Sequence, residues 1–142
     1  MCLMVYIASA HPLPLIPWNE HAPAFHVAEL LEIYQSVCSQ FTHPLVYYVG
    51  SHEGCGCGFD YAEWSVGDDE QADEQAARAT VHRLAVYLAQ VVATGSVEIF
   101  ACWAGDHEQA ATERLVVTPA YFSGDEFAFN ELQLLIVEPE IR

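Results

Sequence analysis

The residue types best suited to chemistry crowd into one stretch, Gly50-Ser51-His52-Glu53-Gly54-Cys55-Gly56-Cys57-Gly58-Phe59. Two of the five cysteines stand there two residues apart, and His52 lies three residues before the first. Four of the eight glycines lie in the same stretch. Such a composition suits neither helix nor strand. It predicts a loop whose backbone approaches a ligand closely.

Three chemistries fit the stretch. Thiolate and imidazole together suit soft ions such as Zn²⁺ or Cu(I), and clustered thiolates also suit iron–sulfur. On that reading His52, Cys55 and Cys57 are metal ligands, with His11 or His107 as a further one, in a site open enough to be catalytic. Structural zinc knuckles carry two thiolate pairs, and only one pair occurs here, so an open or surface site is expected over a closed one. The second chemistry is that of the thiols themselves. A Cys55–Cys57 disulfide would be a small strained ring, and strain makes it easier to reduce. His52 would then assist a cysteine nucleophile as base. The third reading has no reaction: the stretch is a structural turn in an acidic interaction or inhibitor module. No arginine follows the cysteines as in a phosphatase-type loop, and a P-loop is excluded because the chain has no lysine.

Charge narrows the partners. Twenty acidic residues face four arginines, for a net charge of −16. Nucleic-acid backbones and anionic membranes are therefore not expected partners. A metal ion or small molecule at the loop is expected, and a basic protein partner would be drawn by long-range attraction. Self-association into a homo-oligomer is compatible with the composition. No apolar run reaches bilayer length, and the first residues lack the basic start of a signal peptide, so a cytoplasmic location is expected.

The elements that must position these residues follow from periodicity. A chain of 142 residues with 53% hydrophobic residues predicts a single globular domain over residues 1–142. Residues 2–9 read as a buried first strand, and His11 to Trp18 as an extended proline-rich segment. Val27, Leu30, Leu31, Tyr34, Val37, Cys38 and Phe41 recur at helical spacing, so a helix is expected from Pro23 to His43. Leu45–Val49 is the next strand and runs into the cysteine loop, which continues to Gly67 without evident structure. A second helix, capped by Asp68 or Asp69, carries Ala77, Val81, Leu84, Leu88 and Val91 on one face and stops at Gly95. Strands are then expected at Val97–Trp103, Arg114–Tyr121, Phe127–Phe129 and Leu132–Val137.

The class is therefore α/β or α+β, with order β-α-β-α-β-β-β, two main helices and a mixed sheet. A ferredoxin-like sandwich is the runner-up and needs a strand hidden around Phe59–Val66. Strands separated by helices suggest that the first two are parallel, joined by a right-handed crossover, with the last strands added as a meander. Three loops, carrying His11, His52 and His107, would then meet at one edge of the sheet. Cys2, Cys38 and Cys102 lie among apolar neighbours and are expected in the core.

Overall fold

The computed structural model describes residues 2–59, 70–123 and 127–140. One six-stranded mixed sheet organises them, in a mixed α+β arrangement. Its strands are β1 (Leu3–Ser9), β2 (His26–Glu29), β3 (Leu45–Gly50), β4 (Val97–Trp103), β5 (Glu113–Val117) and β6 (Gln133–Val137), in the order β2-β3-β1-β4-β6-β5. One α-helix, α1 (Glu70–Val91), and a nine-residue 3-10 helix over Glu32–Gln40 accompany it. No helix among the described residues is long and apolar enough to cross a membrane.

The mixed-sheet class is as expected, but the pairing is not. β1 is antiparallel to both of its neighbours, β3 and β4. The crossover that would have made β1 and β3 parallel is absent, because the segment read as a helix from Pro23 divides. His26–Glu29 becomes a strand on the outer side of β3, and the rest winds as 3-10 helix. A 3-10 helix repeats every three residues. Tyr34 and Val37 accordingly turn inward while Leu31 and Ile33 stay exposed. The final strands do not form a meander either. β6 lies between β4 and β5, antiparallel to the first and parallel to the second, and residues 127–129 are not a strand. Most of the strand proposed for the ferredoxin-like alternative, residues 60–66, lies outside the described residues, while Phe59 ends a short 3-10 turn.

Both faces of the central sheet are covered. Val5, Ile7, Val49, Val97, Ile99, Leu135 and Val137 form one face. Against it lie Val81, Leu84, Ala85, Leu88 and Val91 of α1, with Phe59, Phe122 and Phe129. Met4, Tyr6, Phe100, Cys102 and Leu134 form the other face, closed by Val37 of the 3-10 helix and partly by Leu30, Tyr34 and Phe41. Strands buried on both sides lose the alternation of apolar and polar residues that marks a half-exposed strand.

Among the buried polar residues, Glu98 and Gln133 lie on the sheet. Glu98 on β4 is buried, and its carboxylate accepts the Thr42 and His43 backbone N–H groups, each at 2.9 Å, and the Thr42 hydroxyl at 3.1 Å. These bonds satisfy the charge and hold the end of the 3-10 segment against the sheet. Gln133 donates its amide to Glu113 Oε1 at 2.9 Å, while its own buried carbonyl oxygen has no partner among the described residues.

Candidate metal centre

Antiparallel pairing fixes which chain segments meet. Val5 lies opposite Val49, and Leu3 opposite Trp103, so the beginning of β1 adjoins the ends of both β3 and β4. The loop after β3 therefore folds back over Cys2 and Leu3. Two of the three expected loops do converge, but the third contributor is the residue that enters β1, not the loop that leaves it.

The cysteine loop is built by short hydrogen bonds. The Ser51 N–H and hydroxyl both donate to the Cys55 carbonyl, the former at 3.0 Å. Gly54 N–H donates to Ser51 O at 3.0 Å, and the Tyr48 hydroxyl donates to Gly54 O at 2.6 Å. Gly54 holds φ at 88°, a left-handed conformation that favours glycine. Gly56 lies flat on β1: a Cβ there would stand 2.8 Å from the Leu3 carbonyl oxygen and 2.7 Å from Val5 Cγ2. Its neighbour Cys57 is thereby brought over the strand, where the Leu3 N–H donates to Cys57 Sγ at 3.3 Å. On the other side, Ala104 N–H donates to the Cys2 carbonyl at 2.8 Å and fixes the residue before β1.

These constraints gather three sulfurs. Cys2, Cys55 and Cys57 have their Sγ atoms all within 4.8 Å of one another, so the three together can hold a metal ion. With a metal–sulfur bond of about 2.3 Å, three sulfurs around one ion stand about 4 Å apart, a contraction of an ångström or less that side-chain rotation supplies. Cys2 is exposed, and Cys55 and Cys57 are half-buried. Burial pushes the Cys55 thiol up to about 12; the Cys57 and Cys2 sulfurs add to the shift and a backbone hydrogen bond with Cys57 partly opposes it. Burial, and after it the Cys55 sulfur, also raises the Tyr48 phenol far above its usual range.

The histidines go elsewhere. His52 Nδ1 is hydrogen-bonded to the Thr80 hydroxyl on α1 at 2.9 Å, and so ties the loop to the helix and not to the sulfurs. His11 is exposed beyond the far end of β1, because β1 runs away from the cysteines. His107 follows β4 at the correct edge but lies buried against the opposite face. Its Nε2 is 2.6 Å from the Tyr6 hydroxyl, and its ring stacks on Tyr34 at 4.9 Å. Burial raises the Tyr6 phenol far above its usual range, so Tyr6 keeps its proton in this contact.

The remaining cysteines divide as well. Cys102 is buried, as expected. Cys38 is only half-buried, since the 3-10 winding turns it off the inward face, and Cys2 is exposed at the head of its strand. Cys2 is the member of the sulfur cluster that sequence reasoning placed in the core. An antiparallel assignment of the first and second long strands would have brought it to the loop. Comparison with protein-family models, with curated proteins and with solved structures finds no match for this chain.

Proposed function

We propose that the chain binds one soft metal ion, Zn²⁺ or Cu(I), through Cys2, Cys55 and Cys57. The observation that carries this reading is the meeting of three sulfurs from two distant parts of the sequence within 4.8 Å. Soft thiolates select such ions over Mg²⁺ and Ca²⁺, which seek oxygen. The raised Cys55 thiol supports the same choice over a nucleophilic role for Cys55. A thiol held near 12 is a poor nucleophile at neutral pH, whereas a coordinating cation displaces its proton outright. The metal site would work in the cytoplasm, where thiols stay reduced.

Calorimetry with Zn²⁺, and with Cu(I) under anaerobic conditions, tests the reading. Wild-type protein is expected to bind one equivalent, with affinity falling as pH falls because protons compete for the sulfurs. The Cys55→Ser, Cys57→Ser double variant is expected to lose that binding. The Cys2→Ser variant is expected to weaken it about tenfold or more, since even the groups behind a ligand contribute that much. Unchanged binding in the double variant would overturn the proposal.

A further inference from the structure

We infer that the ion is monovalent copper carried as cargo, with Cys2 as the ligand that is exchanged on transfer; this rests on the metal-site reading above. Among the described residues the ligand sphere contains sulfur alone. His52, His107 and His26 each turn one ring nitrogen to another partner, to Thr80, Tyr6 and the Ala24 carbonyl, and none of the three joins the sulfur cluster. A closed zinc site calls for four ligands in a tetrahedron. Three soft sulfurs satisfy a monovalent d¹⁰ ion without a fourth donor.

The three sulfurs are also unequal. Cys55 and Cys57 are half-buried on a loop clamped by Ser51, Tyr48 and the contact of Gly56 with β1. Cys2 alone is exposed. An incoming thiol therefore reaches the ion from the Cys2 side. In the exchange a bond forms between copper and the incoming sulfur while the bond to Cys2 breaks. The proton of the incoming thiol ends on the Cys2 sulfur, and copper stays Cu(I). No electron is transferred, so no oxidant or reductant is needed.

X-ray absorption at the copper edge, on reduced full-length protein loaded with one equivalent of Cu(I), reads the ligand sphere. Three sulfur neighbours with no nitrogen or oxygen are expected, falling to two sulfurs in Cys2→Ser. Alkylation followed by mass spectrometry reads the exchange. All three cysteines should be protected in the loaded protein, and added glutathione should expose Cys2 before the other two. A nitrogen or oxygen neighbour would overturn the copper assignment, as would retention of Zn²⁺ against an equal amount of Cu(I). Release of Cys55 or Cys57 first would overturn the role of Cys2. Each of these leaves the metal-site reading standing, whereas failure of the wild type to take up either ion removes both.

Discussion

At the scale of single residues, reactivity follows burial and neighbours. In metal-free protein Cys2 is exposed and Cys102 buried, and burial pushes the Cys102 thiol up to about 11. Timed alkylation at neutral pH should therefore modify Cys2 first, Cys38 later and Cys102 last. Cys55 should label slowly and accelerate as pH rises toward 12, because only its thiolate reacts. Rapid labelling of Cys55 at pH 7 would contradict its environment. His107 offers a second test. Burial lowers its pKa below the ordinary 6.5, with Asp106 partly opposing. The unfolded chain therefore takes up this proton before the folded protein does. The contribution to stability is complete above 6.5 and is lost as pH falls from there through the lower folded value. Urea denaturation should show that loss in the wild type, and His107→Leu should reduce it. An unchanged slope in the variant would mean that other groups carry the pH dependence.

At the scale of elements, the loop depends on a glycine in contact with a strand. Gly56→Ala would press a methyl group onto the Leu3 carbonyl and Val5, neither of which can retreat from the sheet centre. Chemical denaturation should show a loss of about 1–3 kcal/mol, the usual range for overpacking. Metal affinity should fall with it, because Cys57 shifts away from Cys2. Full affinity in this variant would show that the site tolerates displacement of the loop. The strands β1, β3 and β4 and the helix α1 were legible from the runs Leu3–Ala8, Leu45–Val49 and Val97–Trp103 and from the spacing of Val81, Leu84, Leu88 and Val91. Cys55 and Cys57 stood out by composition. Strand direction did not, because β1 and β4 are buried on both faces and an unbroken apolar run reads alike in parallel and antiparallel sheets. That one ambiguity put His11 at the wrong edge and hid the approach of Cys2 to the loop, whereas His52 sits at the expected edge but is bonded to Thr80 on α1. The short strand His26–Glu29 was hidden because Val27 also fits the helical spacing of the residues after it.

At the scale of the whole molecule, charge is nearly one-sided. Twenty acidic groups against four arginines leave −16, so the folded state repels itself more than the expanded one. Raising ionic strength from 0.01 to 0.1 M shortens the screening length from about 30 to about 10 Å, so Tm should rise over that interval. A flat or falling Tm would show that the carboxylates are already neutralised locally. The junction of Cys2 with Cys55 and Cys57 bears on stability in another way. An ion bound there would fasten the head of the central strand to the loop beyond β3, closing the chain into a ring containing β1, β2, the 3-10 helix and β3. It would act as a removable staple, denying the denatured chain its freedom as a covalent cross-link does, with a grip that grows with free ion concentration. Metal supply would then set how long the protein lasts as well as what it carries.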